Sequence, residues 1–135
     1  MENTLSDWNK KALEIINNMS GQFQTTAYKN ILTAQKTFKN IFHAPEQEKN
    51  QYIHKELFRT IHDLKGQGST FGYPLITEIG NHLCRYIEKQ NTFNQNVLLI
   101  IQKHLDVLEL ILRNHLKDDG GQQGKELKKS IFTEK

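Results

Sequence analysis

Apolar residues recur at three- and four-residue steps along most of the chain, and strand-like alternation is nearly absent. This spacing predicts amphipathic helices, because positions i, i+3, i+4 and i+7 share one helical face. We expect five helices with these apolar stripes: Leu5, Trp8, Ala12, Ile15 and Met19; Ala27, Ile31, Ala34, Phe38 and Ile41; Ile53, Leu57, Ile61, Leu64, Gly68 and Phe71; Ile76, Ile79, Leu83, Tyr86 and Ile87; Val97, Leu98, Ile101, Leu105, Leu108, Ile111, Leu112 and Leu116.

Turn and capping residues divide these stripes. Ser20-Gly21 ends the first stripe, and Pro45 is suited to begin the third helix because its ring fits the first helical turn. Gly72-Tyr73-Pro74 ends that helix, and Asn91-Thr92 provides a cap for the fifth. The run 118–121, Asp-Asp-Gly-Gly, breaks the fifth helix.

The connections are short, so neighbouring helices are expected to pack antiparallel. We predict an all-α fold: an up-down antiparallel four-helix bundle with an extra N-terminal helix and a short C-terminal helix or tail, anchored by Leu127 and Ile131. No repeat or long linker divides the chain, so a single domain is expected over residues 1–135. Its bundle core spans about 22–117, and its third and fourth helices form a hairpin at about 46–90.

Composition narrows the classes of protein. The 135 residues carry a net charge of +3, which is too weak to predict a nucleic-acid partner. One cysteine excludes an internal disulfide framework and a cysteine-based zinc site. The chain starts with polar and acidic residues, unlike a signal peptide, and its longest apolar run, 97–101, is too short to span a bilayer. We expect a cytoplasmic monomer without membrane association.

The third predicted helix contains two glycines, Gly66 and Gly68, which each cost about 1 kcal/mol relative to alanine. At about 100° per residue, His62 points away from the apolar stripe, towards solvent. Gly66 lies one turn further along, on one side of His62, and Lys65 lies on the other side. Gly68 falls on the core side, where it lets a neighbouring helix approach closely.

This arrangement predicts an exposed imidazole with a cation and a bare backbone notch beside it. The patch is completed by Phe58, Arg59 and Ser69. An exposed histidine is a nucleophile near neutral pH, and Lys65 can neutralise negative charge that arrives on it. Gly66 leaves room for a bulky group to reach His62, and the mixed apolar and charged rim suits a transient docking face.

The segment His62-Asp-Leu-Lys65-Gly66 closely resembles the His-x-x-Lys-Gly signature of histidine-containing phosphotransfer (Hpt) domains. Its continuation, Gln-Gly-Ser-Thr-Phe-Gly-Tyr-Pro over 67–74, is also similar to the phosphotransfer domain of chemotaxis kinases. The resemblance is strong over about residues 53–90 and rests elsewhere on helix number and length. It implies that His62 carries a phosphoryl group on Nε2, that Lys65 stabilises the phosphate, and that Gly66 admits a receiver domain.

The implied function is that of a stand-alone phosphorelay intermediate in a two-component system. His62 would accept a phosphoryl group from a receiver aspartyl phosphate and pass it to another receiver. The partners would be response-regulator receiver domains and a hybrid or separate histidine kinase, contacted through Gly66, Phe58, Arg59 and Ser69. The chain has no Walker-type glycine loop, so we expect a phosphocarrier and not an enzyme. No cofactor or metal is expected, with Mg²⁺ on the receiver only.

Other interpretations stay open. The chain could be a non-catalytic helical interaction module with a relic motif, or the dimerising hairpin of a sensor kinase. His62 and Lys65 could be solvated surface residues. Many Hpt domains have a Glu or Gln on the next helix that orients the histidine ring, but Cys84 occupies that position here. Asn81 and Glu88 are the nearby polar candidates.

Overall fold

The computed structural model describes residues 4–132, and all regular structure within that range is helical. The helices are α1 (Thr4–Ile41), α2 (Glu46–Tyr52), a π-helical turn (Ile53–Leu57), α3 (Phe58–Gly68), α4 (Pro74–Lys89), α5 (Gln95–Arg113) and α6 (Gly121–Phe132). Both ends of the predicted domain, residues 1–3 and 133–135, lie outside the described residues, as does the side chain of Leu5. Within the described range, no helix has the length and apolar character needed to cross a membrane.

The first two predicted helices are one continuous helix, so the prediction of a break at Ser20-Gly21 is wrong. A single glycine costs a helix only about 1 kcal/mol, and no proline accompanies it. Open space surrounds Gly21, and the Thr25 hydroxyl donates a hydrogen bond to its carbonyl at 3.0 Å. The extra N-terminal helix is therefore the first half of α1, and Phe23 is the first of its described side chains to be buried in the core.

The predicted third helix is a run of three helical pieces. It begins at Glu46 after Pro45, as predicted, and changes to a π-helical turn at Ile53–Leu57 before continuing as α3. The predicted stop after α3 is also confirmed. Gly72 has a φ of +87°, a conformation that favours glycine, and Pro74 opens α4.

One hydrophobic cluster joins the helices. α3 has its most extensive contact with α4, the second half of α1 packs on α5, and α4 packs on α5. The cap of α5 is Asn94, whose side chain accepts a hydrogen bond from the Val97 N–H at 3.0 Å, so the prediction of Asn91-Thr92 is wrong. The short C-terminal helix is confirmed as α6, and its buried Ile131 extends the core beyond the predicted limit of residue 117.

A pair of histidines lies where α4, α5 and α6 meet. His104 is fully buried, and its Nδ1 lies 2.8 Å from the Ile100 carbonyl, which can only accept. The Nε2 of His104 is therefore the acceptor for the Nδ1–H of His82, 2.8 Å away. The Phe132 ring of α6 packs against His82 at 4.7 Å. A salt bridge of 3.4 Å between Lys128 and Glu78 also joins α6 to α4.

The His82–His104 pair makes stability depend on pH. Burial, with added repulsion from Lys89 and Arg85, lowers the pKa of His82 below its usual value of 6.5. The unfolded chain therefore binds more protons than the folded protein below about pH 6.5, and the free energy of unfolding decreases as pH falls through that range. Urea denaturation from pH 7.5 to 5 should show a shallower decrease for His82→Gln than for wild type. The matched control is His43→Gln at an exposed histidine, and equal slopes for wild type and His82→Gln would contradict the prediction.

Candidate functional site

His62 lies on the outer face of α3, and its predicted exposure is confirmed. The ring stacks beside that of Phe58, one turn earlier, with centroids 6.2 Å apart and planes at 28°. Within the described part of the chain, no hydrogen bond is made to the His62 ring. Its two nitrogens are thus open to solvent and to an incoming group, as a nucleophile requires.

The half-buried Phe58 is the first residue of α3 and directly follows the π-helical turn. His54, in that turn, lies against both Phe58 and Phe93, with ring centroids 6.4 Å and 5.7 Å apart. π-helical turns occur often at functional sites, because the additional residue in the turn changes the direction in which side chains project. Here the turn places two aromatic rings in a row that leads to His62.

Lys65 is held by α4 at three points. Its Cβ lies only 2.9 Å from where a Cβ on Gly80 would be, so a glycine at position 80 allows the two helices to touch. The Thr77 hydroxyl donates to the Lys65 carbonyl at 2.8 Å, and the Lys65 ammonium donates to Asn81 Oδ1 at 3.3 Å. The lysine is half-buried. Its cation is therefore held on the α4 side of His62, one helical turn along.

The two glycines of α3 have different surroundings. A Cβ on Gly66 would meet nothing within 4 Å, so its side of His62 is open, as the notch interpretation expects. A Cβ on Gly68 would lie 2.8 Å from both the Thr77 hydroxyl and the Tyr73 carbonyl oxygen. Gly68 is thus required for the packing of α3 on α4, whereas Gly66 has no packing role.

The other residues of the predicted docking face lie around His62 on α3 and just after it. Arg59 is exposed, one turn before His62 in the chain. Ser69 is exposed, but its backbone N–H and its hydroxyl both donate to the Thr77 hydroxyl, at 2.9 and 3.1 Å. Its side chain is therefore engaged in ending α3. Asp63 lies on the far side, along an open groove between α1 and α3.

No residue of α4 orients the His62 ring by a hydrogen bond within the described residues. Cys84 is only 1% exposed, and burial raises the pKa of its thiol, so it stays protonated inside the core. Asn81 uses its carbonyl oxygen to hold Lys65. Glu88 is exposed and increases the pKa of Cys84 by its negative charge. Of the predicted candidates, Asn81 therefore acts on the cation and not on the ring.

The structure adds Thr77, Gly80 and Asn81 to the site. The sequence made Asn81 a candidate to orient the His62 ring, and it did not identify Thr77 or Gly80 as residues of the site. A small residue at position 80, within the apolar stripe of α4, was the one signal of a close helix approach. Burial of an unpaired lysine side chain would be costly, so the contacts with α4 explain why Lys65 is half-buried. Within the described chain, no cluster of three or more His, Cys, Asp or Glu residues could hold a metal ion.

Comparison of the chain with protein-family models, with curated proteins and with solved structures gives no match. The functional assignment therefore rests on the motif and on the geometry of these residues.

The contrast between Gly66 and Gly68 predicts opposite effects on stability. Gly68→Ala should lower the free energy of unfolding by about 1–3 kcal/mol, because the added methyl group meets a backbone carbonyl that cannot move easily. Gly66→Ala should raise it by about 0.5–1 kcal/mol, because alanine favours the helix and meets nothing. Urea denaturation of both variants measures the two changes, and a stable Gly68→Ala protein would contradict the close packing of α3 on α4.

Proposed function

We propose that this protein is a histidine phosphocarrier of the Hpt type, which moves a phosphoryl group between receiver domains in a two-component phosphorelay. The observation that carries the proposal is the arrangement on α3: an exposed His62 ring without hydrogen bonds among the described residues, open space at Gly66, and the Lys65 cation one turn along. The motif supplies the identity of the phosphoacceptor. The contacts of Lys65 with α4 support its role beside the phosphate.

The proposed reaction begins with a neutral His62 whose Nε2 lone pair attacks the phosphorus of a receiver aspartyl phosphate. A new N–P bond forms as the O–P bond breaks, and the receiver carboxylate leaves with that electron pair. The proton on Nδ1 remains on the ring or passes to water. Transfer to the next receiver reverses these steps.

Such a loose transition state depends on positioning and on charge stabilisation. Lys65 supplies positive charge on one side, and its ammonium is restrained by Asn81 at 3.3 Å, which reduces the entropy lost on meeting the phosphoryl group. The receiver would supply the Mg²⁺ and the remaining positive charge. The chain itself acts as a carrier and not as an enzyme, with no cofactor of its own.

We propose that the fold is an up-down antiparallel four-helix bundle. Its four members would be the second half of α1, the segment from α2 to α3, α4, and α5, with α6 packed at the side. The contacts of α1 with α5, α5 with α4, and α4 with α3 support this arrangement. Phe58 and Arg59 would contact the receiver around Gly66, and Ser69 would contribute mainly its backbone. We place the protein in the cytoplasm, with its receiver and kinase partners.

Phosphotransfer tests the proposal directly. A receiver domain labelled with ³²P on its aspartate should transfer the label to the wild-type protein, and His62→Gln should accept none, because the amide is not a nucleophile. His43→Gln, at an exposed histidine outside the helical segment that carries His62, is the matched control and should accept label as the wild type does. The label should be lost in acid and retained in alkali, as expected of a phosphoramidate.

Two outcomes would contradict this assignment. Label on His62→Gln would place the phosphoacceptor on another residue. A wild-type protein that stays unlabelled across a panel of receiver domains would favour the non-catalytic interaction module, in which the motif is a relic.

The notch at Gly66 gives a separate prediction. Gly66→Gln should fold at least as well as the wild type, because an added Cβ at this position meets nothing within 4 Å and glutamine favours the helix more than glycine does. Its transfer rate should fall by roughly 100-fold, because a displacement of about 1 Å at the reacting atoms is enough for such a loss. Single-turnover transfer kinetics measure the rate, and thermal denaturation checks the fold. A rate equal to that of the wild type would remove the docking argument.

A further inference from the structure

The first half of α1 carries an apolar face that the described residues leave largely exposed. Trp8 is 71% exposed, Ile15 58% and Met19 47%. Together with the exposed Ala12 they lie within about 60° of arc, at about 100° per residue. We name these four residues the N-terminal seam. Leu13 is also 59% exposed but lies on a different side of the helix.

The spacing of the N-terminal seam is that of a coiled coil. Steps of four, three and four residues from Trp8 to Met19 alternate as the a and d positions of a heptad do. This period keeps one narrow apolar strip facing a parallel or antiparallel partner helix. The partner that fits the strip is therefore another helix of the same kind.

The rest of the described fold cannot reach the N-terminal seam. Because α1 is one continuous helix, its second half, in which Phe23 is the first described side chain to be buried, cannot fold back over the seam. A contact on the seam would therefore come from outside the described residues.

We propose that the N-terminal seam is the interface of an antiparallel homodimer. With ordinary side-chain sizes, the exposed parts of Trp8, Ile15 and Met19 give roughly 400 Å² of apolar surface per chain. Two copies supply about 800 Å², and the flanking side chains bring the total close to the roughly 1,200 Å² at which reversible dimers begin. The dimer is accordingly weak and depends on concentration. This proposal does not rest on the phosphocarrier function, and it replaces the monomer expected from the sequence.

The course of α1 excludes the parallel orientation. Beyond Phe23, the side of α1 that continues the seam carries Thr26 and Asn30, which line the open groove shared with α3. A parallel second copy would place its own α1 where α3 lies. In the antiparallel orientation the two first halves overlap, and the two folded bodies lie at opposite ends.

The antiparallel register also matches side-chain sizes. Pairing of a with d positions sets Ala12 against Ile15 of the second copy, and Trp8 against Met19 of the second copy. Small and large side chains therefore face each other at the centre of the seam.

Sedimentation velocity on the full chain tests the dimer. The wild type should change from monomer to dimer between roughly 1 and 200 µM, as expected for an interface of this size. Ile15→Glu should weaken the dimer by roughly tenfold or more, because it buries a charge in the seam. Leu13→Glu, equally exposed but off the seam, is the matched control and should dimerise as the wild type does. A wild-type monomer throughout, or equal effects of the two variants, would overturn the proposal.

Cysteine cross-linking tests the orientation. An equimolar mixture of Ala12→Cys and Ile15→Cys chains should form the mixed disulfide on mild oxidation, whereas Ala12→Cys alone should form little. Efficient cross-linking of Ala12→Cys with itself would indicate a parallel pair and overturn the orientation. Binding of the wild-type chain to anionic lipid vesicles, without any dimer in solution, would assign the seam to a membrane surface and overturn the proposal as well.

Discussion

The contact between α3 and α4 is the constraint on which the candidate site depends. Two glycines make it possible, one on each helix: Gly68 lies against Thr77 and the Tyr73 carbonyl, and Gly80 lies against the stem of Lys65. Side chains at either place would push the helices apart, and the interior of a protein leaves little room for such a shift. The position of the site cation thus follows from the close approach of two backbones.

The proposed chemistry is divided between the two helices by this contact. α3 presents the reactive ring and the open notch to solvent, while α4 holds the lysine by its carbonyl and its ammonium. The Thr77 hydroxyl also accepts hydrogen bonds from Ser69, so one side chain both ends α3 and fixes its last turn. Because no described residue forms a hydrogen bond with the His62 ring, the nucleophile is free to rotate while the restrained cation beside it stays in place.

Hydrophobic periodicity was enough to predict the helices but not all of their ends. The break at Ser20-Gly21 failed because a helix is cooperative, and one glycine in open space cannot interrupt it. Asn94 was missed as a cap because asparagines at 91 and 94 look alike in sequence, and only the backbone decides which one reaches the Val97 N–H. The sequence also did not indicate that His104 is fully buried, because its burial depends on a hydrogen bond to the Ile100 carbonyl that only the folded helix provides.

For the site, placing residues at about 100° intervals around α3 was sufficient to predict that His62 is exposed and that Gly68 faces the core. Both are properties of a single helix. The contacts of Lys65 could not be predicted in this way. They depend on the register of α4 against α3, which is set by three-dimensional packing at Gly80. The burial of Cys84 could be predicted, since a single cysteine in a helical chain is most simply a small buried residue, and its side chain is 1% exposed.

The π-helical turn at Ile53–Leu57 lies between α2 and α3 and changes the direction in which their side chains point relative to each other. Such a turn holds one residue more than an α-helical turn, so everything before it is rotated by about 100° relative to everything after it. The turn buries Ile53 and Leu57, which shows that the extra residue is absorbed without loss of core contacts. Deletion of one residue from the turn would consequently rotate α2 by about 100° relative to α3, so that the two helices could not both keep the faces they now turn to the core.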